Sequence, residues 1–144
     1  MRTLSILTAT TTMLIALSAA QAADPHGVWA TEGGKAQVRM ADCGGALCGT
    51  IIALSEPNDT KTGRPKSDEN NPDPGKRSRP MIGTQIVLGM KPDSANKWSG
   101  NIYNAEDGKT YSGSFTLIST TSAQLQGCVL GGLICKGQTW TRVK

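Results

Sequence analysis

Histidine occurs once in this sequence, at His26, and aromatic residues make up only 4% of it: three tryptophans, two tyrosines and one phenylalanine. With a single imidazole, no Gly-x-Ser-x-Gly and no phosphate-cradling glycine loop, the chain lacks the usual nucleophile-and-base pairings, and no catalytic residue is assigned. Scarce aromatics also deny it the stacking platforms of a nucleic-acid-binding face. A formal net charge of +4 over 144 residues is likewise too thin for a dense basic patch, so no nucleic-acid partner is expected. No window of helical length repeats its apolar residues every 3.6 positions. No motif for a cofactor is present, and none is expected.

Long apolar runs are missing everywhere except at the start. Met1 and Arg2 give a basic opening, residues 4 to 20 are apolar with small hydroxyl residues, and "AQA" at 20 to 22 has the small-x-small spacing of a signal-peptidase site. Thr8 and Thr10 to Thr12 interrupt the run, which is shorter than the roughly 20 residues that span a bilayer. It reads as a secretory signal over residues 1–22 cut after Ala22. The expected product is periplasmic or secreted, with no transmembrane segment. Loss of Arg2 lowers the net charge by one and leaves a single domain, residues 23–144, with a core built mainly from Ile, Leu, Val and Met.

What the mature chain does have is alternation punctuated by glycine. "HGVWAT" is followed by Gly33-Gly34 and then "KAQVRM", with Ala36, Val38 and Met40 on one face and Gln37 and Arg39 on the other. "LCGTIIALS" is apolar on both faces. "MIGTQIVLGM" sets Ile82, Ile86, Leu88 and Met90 on one side. "KWSGNIYN" and "KTYSGSFTLIS" flank a turn at Glu106, Asp107 and Gly108, with Tyr111, Phe115 and Leu117 inward, and "SAQLQGCVL" with "LICKGQTWTRV" makes a final hairpin. Eight strands joined by hairpin-length connections point to an all-β, antiparallel up-and-down barrel, whose closure removes exposed edges. A two-sheet sandwich is the alternative. The one long loop, residues 56–80, falls between strands three and four.

Four cysteines remain to be placed. Gly131 and Gly132 lie midway between Cys128 and Cys135, so a two-residue turn there sets the two cysteines opposite each other. Gly45 and Ala46 stand in the same relation to Cys43 and Cys48. Cross-strand neighbours lie about 4.5 to 5.5 Å apart at Cα, within disulfide range. Zinc sites use shorter spacers and usually histidine, and a redox pair uses C-x-x-C at a helix start, so these cysteines read as two local disulfides of an exported protein. Loops this short contribute roughly 2 to 2.5 kcal/mol each. No metal is expected: "DENNPDPG" has the outline of a calcium loop, but Pro72 stands where its fifth ligand belongs.

"GVW" at the mature start, "CGGALCGTI", "NPDPGKRSRPMIG", "IYNAEDGKTYSG" and "QTWTRV", in that order, resemble the small exported bacterial proteins of the domain-of-unknown-function 2147 family. The resemblance covers essentially the whole mature chain and implies a periplasmic, single-domain, β-rich protein with no established reaction. A second resemblance is to lipocalin-like calycin barrels, which open on Gly-x-Trp and close with an arginine packed on that tryptophan. Gly27, Trp29 and Arg142 match those places, with Trp140 beside them, and the rest of the lipocalin pattern is missing. The resemblance implies a closed barrel end and names no ligand.

Function is then expected in the 56–80 loop or the barrel interior. Pro65, Pro72, Pro74 and Pro80 restrict the loop, Asn70, Asn71 and Asp73 are suited to bonding nearby amides, and Arg77 and Arg79 offer forked donors to an anion. Alternatively those arginines pair with the loop's own acids and pin it over the barrel mouth. The reading is a non-catalytic module that binds an unknown small molecule or envelope component. The alternative is an enzyme using the carboxylates Asp68, Glu69, Asp73, Glu106 and Asp107.

Overall fold

The computed structural model describes residues 23–144; the segment read as a signal lies outside the described residues. Eight strands follow in order: β1 (Gly27–Ala30), β2 (Ala36–Cys43), β3 (Ala46–Leu54), β4 (Gln85–Ser94), β5 (Lys97–Asn104), β6 (Lys109–Leu117), β7 (Ser122–Val129) and β8 (Ile134–Arg142). Each pairs antiparallel with the next, and β8 returns to β1 through Trp29 opposite Arg142 and Ala30 opposite Thr141, which closes the barrel and excludes the sandwich. Lys144 extends this seam: its carbonyl accepts from the Val28 amide, and the Val143 amide donates to the Val28 carbonyl. Beyond the strands there are, among the described residues, three short 3-10 turns. None is long or apolar enough to cross a membrane.

Alternation builds the interior. Val38 and Met40 of β2, Leu47, Gly49 and Ile51 of β3, Phe115 and Leu117 of β6, and Ala123 and Leu125 of β7 are all buried at two-residue spacing. Strand β4 breaks the rule. Its buried residues are Val87 and Met90, three apart, not the series Ile86, Leu88 and Met90 expected from strict alternation, and Ile82 is exposed in the loop before the strand. The pairing with β5 slips between Leu88 and Lys91, where Gly89 takes φ 60°. A bulge there inserts an extra residue and exchanges the two faces of the strand, and glycine holds the left-handed conformation without a Cβ penalty.

The few aromatics are concentrated. Phe115 stands 5.3 Å from Trp29, 5.9 Å from Trp140 and 6.5 Å from Trp98, centroid to centroid, the first two edge-on. Edge-to-face packing of this kind adds about 0.5–1.5 kcal/mol per pair beyond area burial. The three tryptophans and the phenylalanine thus fill the half of the barrel nearer the Trp29–Arg142 seam. The other half is lined by aliphatic side chains, by Tyr103 and Tyr111, and by Gly127, which ends a cross-strand row with Gly100 and Gly113.

Candidate functional site: an open cavity in the barrel

That unequal filling leaves a cavity of about 860 Å³, open at the end that carries the β1–β2, β3–β4, β5–β6 and β7–β8 connections. Trp140 contributes to its lining together with Ile51, Ile86, Ile102 and Leu125. Charged groups also line it: Glu32, Lys35, Glu56, Lys66, Glu106, Asp107 and Lys136. Lys66 and Glu56 pair at 3.8 Å, so two of these charges offset one another. An apolar chamber with a charged, mixed-sign lining suits a molecule with an apolar body and a polar end.

The long loop forms part of the chamber wall through Glu56, Lys66 and Met81. It is organised by Asp68, a fully buried carboxylate. The Tyr103 hydroxyl donates to one carboxylate oxygen at 2.5 Å, while the Asn71 amide and the Arg79 guanidinium donate to the other at 2.7–2.8 Å. Burial alone would raise the Asp68 pKa, but the hydrogen bonds from Tyr103, Asn71 and Arg79 and the Arg79 charge outweigh it and hold the carboxyl below its ordinary 3.8. Tyr103 is pushed up, by burial first and by its bond to Asp68 second. Asn70 reaches the β5–β6 turn, donating to the Glu106 carbonyl at 2.9 Å. Gly108 allows this approach: it has φ +70°, and a Cβ there would run into the Asn70 carbonyl.

The remaining loop residues singled out from sequence are local fasteners. Asp73 accepts from the Gly75 amide and caps a 3-10 turn (Pro74–Lys76), and the Arg77 Nε donates to the Asn71 carbonyl. Arg79 carries the internal pairing, since its guanidinium grips Asp68 and lies 5.8 Å from the Tyr103 ring centroid. Of the carboxylates considered as catalysts, Asp68 and Asp107 are engaged as well. Asp68 has no solvent exposure, and Asp107 is bonded to the Tyr111 hydroxyl and the Lys109 amide.

At the other end the barrel is shut. The Arg142 guanidinium carbon sits 4.3 Å from the Trp29 ring centroid, and its nitrogens donate to the carbonyls of Thr120, His26 and Asp24. The Trp29 indole donates to the Pro25 carbonyl at 3.0 Å. Gly27 leaves room for this, because a Cβ at its φ of +123° would press on Arg142 and on the Lys144 carbonyl. His26, which no sequence pattern connected to anything, bridges Asp24 at 2.6 Å and Asp42 at 3.0 Å. The bond to Asp42 is the main influence raising its pKa above 6.5, against a smaller opposing effect of burial.

Cys43 is joined to Cys48 and Cys128 to Cys135, and no free cysteine occurs among the described residues. Two details differ from the symmetric hairpins expected. The β2–β3 turn is Gly44-Gly45, one residue earlier, so Cys43 faces Ala46 and Cys48 faces Ala41, and the bridge runs diagonally with Cα atoms 5.8 Å apart. Cys128 and Cys135 are directly opposite, 4.1 Å apart, but the pairing ends at Val129 and Ile134 and a four-residue loop closes the hairpin, not two. Two disulfides point to an oxidising compartment.

The comparisons with known proteins agree with this architecture. A solved structure described as "Protein HP1028 from the human pathogen Helicobacter pylori belongs to the lipocalin family" superposes with a TM-score of 0.71 at 22% identity, covering 85% of this chain and 84% of that one. At that identity the likeness is one of fold. No curated protein matches the sequence. The profile of the family described as "Uncharacterized protein conserved in bacteria (DUF2147)" matches residues 27–142, and the chain belongs to that family.

Proposed function

We propose that the protein is an exported, non-catalytic binding module that holds a small molecule with an apolar body in the open half of its barrel. The observation that carries this reading is the unfilled chamber of about 860 Å³, lined by Ile51, Ile86, Ile102 and Leu125 and by charged groups of both signs. Ligand sites are typically 300–1,000 Å³, mostly apolar, with a few polar groups that orient the guest. The likeness in fold to a structure described as a lipocalin supports the same reading. The two disulfides and the leader-like opening of the sequence support function in the periplasm.

Native mass spectrometry of protein purified from its own host, paired with titration by the apolar dye Nile red, tests the cavity. A retained small molecule, or saturable dye uptake that Gly127→Leu abolishes without loss of fold, is expected. Gly127 is suited to this because its nearest neighbours leave ordinary contact distance for a Cβ and it lines the chamber. A clean mass with no dye uptake refutes the reading.

A further inference from the structure

The β7–β8 hairpin ends in six uncharged residues, Val129 to Ile134, whose four aliphatic side chains point away from any core. Leu133 is 86% exposed and Leu130 67%, with Val129 and Ile134 also exposed. Isolated exposed aliphatics are ordinary, but four at one tip form a patch that calls for an explanation. The tip is also rigid. Cys128–Cys135 clamps its base, the Leu133 amide donates back to the Leu130 carbonyl, and Leu130 is held at φ 53°, a conformation a leucine adopts only under constraint.

The three strands that carry and flank the tip, β6, β7 and β8, hold cations and no acid. From Lys109 to Lys144 there is no aspartate or glutamate; of the cations in that stretch Lys109 and Lys136 lie at the end of the barrel that carries the tip, and Arg142 and Lys144 at the closed end. Lys136 stands two residues from Ile134, and Lys109 opens the neighbouring strand β6 at the same end of the barrel. The acids of that end lie on other connections, Glu32 after β1, Glu56 after β3, and Glu106 and Asp107 across the β5–β6 turn, where Asp107 is engaged by Tyr111. An aliphatic tip without the Trp, Tyr or Arg anchors that dominate protein–protein contacts, flanked by lysines long enough to reach headgroup phosphates, matches a lipid surface better than a protein partner.

We propose that this stapled hairpin tip docks the protein on an anionic phospholipid surface, with Leu130, Leu133 and Ile134 in the acyl boundary and Lys109 and Lys136 at the headgroups. Gly127 and Lys136, directly paired below the tip, both line the cavity, so docking brings the open end of the barrel to the membrane. The inference stands on the tip and its charges and not on the cavity being filled.

The test is flotation of the purified protein with vesicles of phosphatidylethanolamine and phosphatidylglycerol, and separately of phosphatidylcholine, at low and high salt. Partition to the anionic vesicles is expected, weakened by salt. The double variant L133S/I134S should lower the partition coefficient on the order of tenfold or more, and K109Q/K136Q should remove the preference for anionic lipid. Near-UV circular dichroism, which reads the buried tryptophan cluster, controls for folding. Both pairs are surface positions, and the variant L133W gives an independent reading: its added fluorescence should be quenched by brominated acyl chains. Absence of flotation, or flotation that L133S/I134S leaves undiminished, overturns the proposal. So does a concentration-dependent dimer that the same substitutions abolish, because it would assign the tip to a second copy of the chain.

Discussion

Replacing Asp68 with alanine should free the long loop from the barrel. The substitution strands the Tyr103 hydroxyl and the Asn71 amide, both buried, without an acceptor. Each orphaned buried donor costs about 1–3 kcal/mol. Arg79 adds little, because its side chain is 37% exposed and regains water when its partner is lost. The expected loss is therefore roughly 2–6 kcal/mol of loop docking. The barrel ladder does not pass through Asp68, so part of this should appear as local opening before global unfolding. Two assays separate these. The denaturant midpoint should fall, and trypsin should cut after Lys61, Lys66, Lys76 or Arg77 faster than in the parent protein.

A pH series sharpens the same test. Asp68 has its folded pKa depressed below 3.8, so its contribution is complete above that pH and is lost as pH falls through the depressed value. D68N keeps the shape but not the charge, and should flatten that acid limb. An unchanged midpoint together with an unchanged cleavage rate in D68A would refute the assignment of Asp68 as the anchor of the loop.

Two further outcomes follow from the closed end. R142A removes three bonds to backbone carbonyls and the cation over Trp29, and should lower stability by about 1–3 kcal/mol in denaturant titration, with R142K intermediate because an ammonium cannot reproduce the guanidinium fork. The raised pKa of His26 means that its contribution is complete below 6.5 and is lost as pH rises through the folded value; D42N, which removes the main cause of the shift, should shrink that decline, as NMR titration of the single imidazole can follow directly.

Strand count, up-and-down order and both cysteine pairings were legible in the residues because an up-and-down barrel is built almost wholly from hairpins. Its partners lie near each other in sequence, so alternation and glycine turns carry most of the information. The Trp29–Arg142 seam is the exception, and it was legible only through a resemblance to other barrels. Where local rules met tertiary constraint, the reading slipped. Strict alternation misassigned Leu88 and missed Val87, because the bulge at Gly89 accommodates β4 to the curvature of a closed sheet, a demand that no ten-residue window contains. The β2–β3 turn moved one residue for a related reason: three consecutive small residues, Gly44, Gly45 and Ala46, leave the register to the strands on either side.

Asp68 and Tyr103 are 35 positions apart, and His26 and Asp42 are 16 apart. Neither pair shares a periodic pattern, so only the folded chain identifies which carboxylate anchors the loop and which partners the histidine. The cavity belongs to the same class. Composition shows how few bulky side chains there are, but a void depends on where they go. Trp29, Trp98, Phe115 and Trp140 converge from four different strands on one half of the barrel, and the space they leave in the other half exists only once all eight strands have closed.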